Sequence, residues 1–255
     1  MNDLKGAVAV ITGAATGIGK GIAVSLASQG VVVGINHWNQ AAGAEDTLAH
    51  VRERGGEGMI LPADVRDRAE LARSAEIMAK TWGRLDIWVN NAAVQPNRSL
   101  WDYDEALLER VMDTNVKGYL WGIQVASALM APRGYGRIIN ISSVHGKRPS
   151  AFDPVYAMSK GALKMLVREA AVELGSLGIT VNAVEPGAVY VGGKGNPQLV
   201  EALPPTELGV RRRRFPLGRV GLPEDIGRVV AFLASPQSDY INGAALRVDG
   251  GSMLL

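Results

Sequence analysis

The most restrictive stretch of this sequence is Thr12-Gly-Ala-Ala-Thr-Gly-Ile-Gly19, which stands between a short apolar run, Ala7 to Ile11, and a run of helix formers reaching Gln29. Strand, glycine turn, helix is the order it predicts. Glycine lets the chain turn tightly and bring its backbone close to a ligand, and a helix N-terminus offers unpaired N–H groups at the positive end of a dipole. Together they point to a site for the pyrophosphate of a dinucleotide, contacted by Gly13, Thr16, Gly17, Ile18 and Gly19. The plain alternative is a glycine-rich turn with no ligand; its place between a first strand and a first helix weighs against that.

Strand-like and helix-like runs alternate from there to the end of the chain. Val31 to Ile35 reads as a second strand, Gln40 to Arg54 as a polar helix, Gly58 to Pro62 as a third strand and Arg66 to Trp82 as a helix. Leu85 to Val89 is a strand with Asn90-Asn-Ala-Ala93 as its turn, and Asp104 to Met130 is helical in pattern. Arg137 to Ile141 and Ile179 to Val184 read as buried strands, Pro223 to Ala234 as a helix and Ala244 to Val248 as a last strand. Such alternation predicts an α/β domain. Val191 to Gly221 breaks it with a stretch rich in Gly, Pro and Arg, which inside a compact domain predicts a lid or binding loop.

With 255 residues, 47% of them apolar, one domain over 1–255 is expected. A net charge of +2 is too mild for a nucleic-acid partner, and the only basic run, Arg211 to Arg214, reads as solvated loop. No cysteine is present, which excludes disulfides and thiolate chemistry and permits the cytosol. No apolar run approaches the length of a membrane span, and Met1 to Lys5 lacks a leader pattern, so a soluble cytoplasmic protein is expected. Tyr119 to Met130 and Ala162 to Leu174 are apolar on nearly every face. A sheet covers only one side of a helix, so a partner subunit is expected over the other, a deep monomer core being the alternative.

Chemistry concentrates in Tyr156-Ala-Met-Ser-Lys160 and in Ser143. On a helix, four-residue spacing sets Tyr156 and Lys160 on one face, where an ammonium is expected to lower the pKa of the phenol and make it an acid/base near neutrality. Ser143 follows the strand ending at Ile141 and is placed at the carboxyl end of the sheet, where it can hold a substrate oxygen. Asn115 sits mid-helix, an unusual place for a poor helix former. The end of the second strand, Asn36-His37-Trp38, is where the adenine ribose is read, and Asp64-Val65 closes the third strand where an adenine can rest.

Read together, Thr12-Gly-x-x-x-Gly-Ile-Gly19, Asn90-Asn-Ala, Asn115, Ser143, Tyr156-x-x-x-Lys160 and Pro186-Gly187 make the chain resemble the short-chain dehydrogenase/reductase family over nearly its whole length. The resemblance implies a Rossmann-type, doubly wound α/β fold with a seven-stranded parallel sheet in the order 3-2-1-4-5-6-7, and a homotetramer. It implies that Tyr156 exchanges a proton with the substrate, Ser143 orients the substrate oxygen, and Lys160 lowers the phenol pKa while bonding the nicotinamide ribose. Asn115 would hold a water linking Lys160 to solvent, and Asn91, Ala92, Pro186, Gly187 and Val189 would complete the cofactor site.

Three positions depart from the family pattern. Ala93 replaces a glycine, Val191 a threonine, and Asn36 the aspartate of NAD-preferring members. Without that carboxylate, and with no basic residue apparent near the ribose, both NAD and NADP are expected to work, NADP slightly favoured. The wording around Ser143, His145 and Tyr156 is closest to the bacterial glucose 1-dehydrogenases, with His145, Lys147, Arg148 and Tyr190 as polar groups facing the substrate. An aldose 1-dehydrogenase is thus the leading expectation for substrate, beside a reductase of carrier-bound 3-oxoacyl chains. A dinucleotide-sensing protein has no need of Tyr156, Lys160, Ser143 and Asn115 together.

Overall fold

The computed structural model describes residues 4–149, 153–192 and 215–254. β1 (Val8–Ile11) is buried along its whole length. Ala9 and Ile11 belong to one apolar core, Val8 and Val10 to a second. Neighbouring residues of a strand point to opposite faces, so an all-apolar strand needs cover on both. The first face is covered by α1 (Gly17–Ala27), α2 (Ala41–Glu53) and α7 (Pro223–Ala234). The second is covered by α3 (Arg68–Trp82), α5 (Gly118–Met130) and α6 (Pro154–Gly175).

β2 (Val32–His37), β3 (Gly58–Pro62), β4 (Ile87–Asn90), β5 (Gly136–Ile141), β6 (Ile179–Pro186) and β7 (Ala245–Val248) complete the sheet. Its order is β3-β2-β1-β4-β5-β6-β7 and every neighbouring pair is parallel. The winding direction reverses between β1 and β4, which opens a crevice at their carboxyl ends. The doubly wound, seven-stranded Rossmann-type domain expected from the sequence is present.

Two elements differ from the sequence reading, and with the start of a third they bear on the site. α3 starts at Arg68, because Asp67 caps it by accepting from Ala69 and Glu70 N–H groups; Arg66 is thereby left in the loop after β3. Asp104 to Met130 is not one uniform helix: α4 (Glu105–Met112) runs into a π turn, Asp113–Lys117, and then into α5. α6 begins at Pro154 under an Asp153 cap, so Tyr156 lies in its first turn. α6 is also not apolar all round, since Arg168, Glu169 and Glu173 are exposed on it. Met158, Met165 and Val172 form an exposed stripe at heptad spacing, whereas Leu166 packs against the second core.

Among the described residues no helix is long and apolar enough to cross a membrane, and no cluster of residues is suited to hold a metal ion. Arg211 to Arg214 and Leu255 lie outside the described residues, as does 193–214 of the expected lid.

Candidate active site

A cavity of about 620 Å³ runs along the carboxyl ends of β1, β2, β3 and β4 to Tyr156. Gly13, Thr16, Gly17, Ile18 and Gly19 form one wall, Asn36, Asp64 and Val65 another, and Asn91 and Ala92 the floor. Gly13 holds φ +61°, and a Cβ there would come within 2.8 Å of the Ala92 Cα; a Cβ on Gly19 would come within 2.3 Å of the Gly13 carbonyl oxygen. Side chains at either position would distort the turn, so the turn is built of bare backbone beside the start of α1. That is the shape a dinucleotide pyrophosphate fits.

The turn is fixed from behind. Thr12 Oγ1 accepts from the N–H groups of Asn91 (2.8 Å) and Ala92 (3.1 Å), and Asn91 Nδ2 donates to the carbonyls of Thr12 (2.9 Å) and Gly13 (3.1 Å). Asn36 corrects an expectation: its side chain is not free to choose between ribose hydroxyls and phosphate. Its Nδ2 donates to Leu61 O and Ala63 O at 3.1 and 2.9 Å, and its Oδ1 accepts from Gly13 N. His37 is buried as well, with Nδ1 accepting from Gln40 N at 3.2 Å, and it lies outside the cavity lining.

The sequence reading found no basic residue near this end of the cavity, yet Arg66 lines it. Its guanidinium lies over the Trp38 ring, 4.9 Å from the centroid, and its Nε donates to both oxygens of Asp64. The pairing raises the Arg66 pKa and lowers that of Asp64, against the burial that opposes it. Only the true start of α3 reveals Arg66 as a loop residue.

At the other end of the cavity stands Tyr156, oriented by the cap of its own helix. Asp153, fully buried, accepts from Tyr156 N (3.4 Å), Asn97 N (2.9 Å) and the Tyr103 hydroxyl. The sequence reading missed this residue, although Asp-Pro before an apolar-periodic run is a helix start signal. Ser143 caps a short turn, Val144–Gly146, with Oγ accepting from His145 N, and its hydroxyl acts to lower the Tyr156 phenol pKa. Asn115 is fully buried; its side chain pairs with both backbone groups of Val94 and donates to Ser159 Oγ at 3.0 Å. It thereby ties the loop after β4 to α6.

Lys160 stands one turn beyond Tyr156 on α6. Its ammonium is 2% exposed and donates to Ile141 O (2.8 Å) and Tyr119 Oη (3.1 Å), while Nζ lies 5.7 Å from the centroid of the Tyr156 ring. Burial pulls the Lys160 pKa down to about 7. Burial also pushes the Tyr156 phenol up; the Ser143 hydroxyl opposes this and the Asp153 charge adds to it. In this arrangement burial, Ser143 and Asp153 move the phenol, and the lysine ammonium is directed to the end of β5.

The loop side chains expected to meet a substrate are largely engaged with their neighbours. Lys147 pairs with Glu185 at 2.7 Å, Arg148 donates to Ser252 O, and the His145 ring contacts Arg148 O. Pro186 ends β6, Gly187 N donates to Val248 O, Val189 bridges to Gly221, and Tyr190 N donates to Gly221 O. These four are not among the residues that line the cavity, whereas Val191 is.

Comparison with known proteins agrees with this architecture. A family model described as enoyl-(acyl carrier protein) reductase matches residues 13–253. The 3-oxoacyl-[acyl-carrier-protein] reductase FabG of Staphylococcus aureus is 35% identical over 95% of this chain and 96% of its own. Glucose 1-dehydrogenase 2 of Bacillus subtilis is 31% identical over 99% of this chain and 96% of its own. A candidate short-chain alcohol dehydrogenase of Sinorhizobium meliloti superposes with a TM-score of 0.89 at 33% identity, over 99% of this chain and 98% of that one. With the parallel sheet, the bare glycine turn and the Tyr156–Ser143–Lys160 cluster, these matches make the chain an oxidoreductase of the short-chain dehydrogenase/reductase family.

Proposed function

We propose that the protein transfers hydride between a nicotinamide dinucleotide and the carbinol carbon of a small alcohol or carbonyl compound, with oxidation of an aldose at C1 as the leading reaction. The observation that carries this reading is the placement of Tyr156 at one end of a cavity whose other end is the bare glycine turn. The resemblance to glucose 1-dehydrogenase 2 supports the choice of substrate class.

The bound cofactor supplies the hydride acceptor or donor. Gly13, Thr16, Gly17, Ile18 and Gly19 would hold its pyrophosphate, Asp64 and Val65 its adenine, and Asn91, Ala92, Pro186, Gly187 and Val189 its remaining length. In oxidation Tyr156 accepts the proton leaving the substrate hydroxyl, and in reduction it returns one. Ser143 donates to the substrate oxygen or to the phenolate, stabilising whichever bears charge. Lys160, with Asn115 bracing the helix beneath it, carries protons to and from the phenol. His145 and Tyr190 border the substrate, and 191–221 acts as the lid.

Both NAD and NADP serve in this reading, with NADP favoured by no more than about tenfold. The basis is now Arg66, whose charge is partly offset by Asp64, rather than Asn36. The exposed stripe on α6 supports a homotetramer, and a cytoplasmic place of action is consistent with the absence of cysteine. A light-scattering mass of a single chain at micromolar concentration would contradict the assembly.

The similarity to FabG supports a second reading, reduction of carrier-bound 3-oxoacyl chains. NAD(P)H absorbance with aldoses, polyols, simple ketones and 3-oxoacyl thioesters separates the two. Aldose turnover with inert thioesters upholds the first, the reverse upholds the second, and inertness toward all four classes with intact NAD(P)H binding overturns both.

A further inference from the structure

Tyr119 has no part in the mechanism above, yet it touches the lysine on which that mechanism turns. α5 carries the phenol to the carboxyl end of β5, where 1% of its surface is exposed. Its hydroxyl donates to Ile141 O at 2.9 Å, and Lys160 Nζ donates to the same carbonyl at 2.8 Å and to Tyr119 Oη at 3.1 Å. The three atoms form a closed triangle. A phenol carries one proton, and here it is directed to the carbonyl, so toward Lys160 the oxygen acts only as an acceptor. Two valences of Nζ are then fixed, and one is left for the rest of the site.

We infer that Tyr119 is a positioning residue for Lys160, holding Nζ against the end of β5 so that its one unfixed valence serves proton exchange with Tyr156. The inference rests on the reading of Lys160 as the proton carrier for Tyr156. Protonated, the free valence is a donor; deprotonated, it is a lone pair able to accept. The surroundings let it be either. Titratable groups facing Lys160 are Tyr119 from α5 and Tyr156 from α6, and β5 presents only the carbonyl of Ile141. Among the described residues no carboxylate pairs with Lys160; the charge of Asp153 acts on Tyr156 instead. Burial brings Lys160 to about 7 and keeps Tyr119 protonated at any working pH. Removing the Tyr119 oxygen leaves the ammonium with one fixed acceptor instead of two, which favours loss of its proton.

The test is the pH dependence of kcat in Tyr119→Phe and in Tyr119→Met, with the pH dependence of NAD(P)H binding followed by fluorescence in the same samples. Two acceptor-free variants are used so that a folding failure of one leaves the other to decide. The limb near neutral pH should move about one unit toward acid in both kcat and binding: for reduction and binding, which use the protonated lysine, about a tenfold loss above it, and for oxidation, which uses the neutral one, about a tenfold gain below it. Tyr119→His, which returns an acceptor, should move the limb back toward its native place. A folded Phe or Met variant that keeps the native limb overturns the inference. If the native protein turns over none of the four substrate classes, the proposed function fails by itself; the shift in the binding limb then decides the inference.

Discussion

Two polar clusters stand at the carboxyl ends of these strands, and they have opposite chemistry. Thr12, Asn36 and Asn91, around the glycine turn, contain no titratable group, and their amide donors are committed to backbone carbonyls. Tyr119, Tyr156 and Lys160, behind β5, are all titratable, share few acceptors and are moved from their ordinary values by burial. A saturated neutral cluster fixes shape because none of its members gains by moving. An undersatisfied ionisable one keeps protons exchangeable, since charge and neutrality are nearly balanced.

The comparison is broken most severely at the reactive cluster. Tyr156→Phe keeps the ring and its packing but loses the exchangeable proton, so turnover should fall about 10²–10⁴-fold while NAD(P)H still binds. Steady-state kinetics beside a fluorescence titration measure both; unchanged turnover would remove Tyr156 from the mechanism.

At the neutral cluster the larger effect should be on folding. Asn36→Asp sets a buried carboxylate against the carbonyls of Leu61 and Ala63, where two donated hydrogen bonds stood. It should cost about 3 kcal/mol in urea unfolding and leave the ratio of NAD to NADP affinity little changed. A folded variant of native stability with a strong new preference for NAD would restore Asn36 as a reader of the ribose. Gly13→Ala should cost about 2 kcal/mol, because φ is +61° and the added Cβ meets Ala92 backbone; chemical denaturation would detect it.

The last effect is one of slope. Lys160 has its folded pKa lowered from 10.5 to about 7, so between these values the unfolded chain binds more protons. Stability should therefore rise with pH across that window, by at most about 1.4 kcal/mol per unit from this residue, and be independent of it below. Lys160→Met should flatten the rise, and unfolding at pH 7, 8 and 9 gives the comparison.

What could be read from the sequence was what periodicity and glycine carry: the first βαβ unit, the alternation that makes the sheet parallel, and the Tyr156–Lys160 spacing. Side-chain direction could not be read. Asn36 occupies the strand end expected of a ribose reader, but it turns inward because Leu61 O and Ala63 O need donors there. Arg66 was hidden by a helix boundary two residues too early, an error that only the Asp67 cap resolves. Tyr119 was counted among apolar helix residues, since nothing in its neighbours announces that its hydroxyl meets a lysine 41 residues away. The lysine's effect on the phenol was argued from proximity alone, and burial acts on both partners before either acts on the other.

The π turn at Asp113–Lys117 bears on which deletions and insertions the chain can accept. Such a turn is an α-helix with one residue too many, here closed by Gly118 N donating to Asp113 O. Deleting a single residue from it would restore an unbroken helix, and local stability would improve. The same deletion would rotate α4 against α5 by about 100°. Asn115, clamped to Val94 and Ser159, and Tyr119, clamped to Ile141, could then no longer face inward together. The segment can thus vary freely in its exposed residues while its length is confined to a single value.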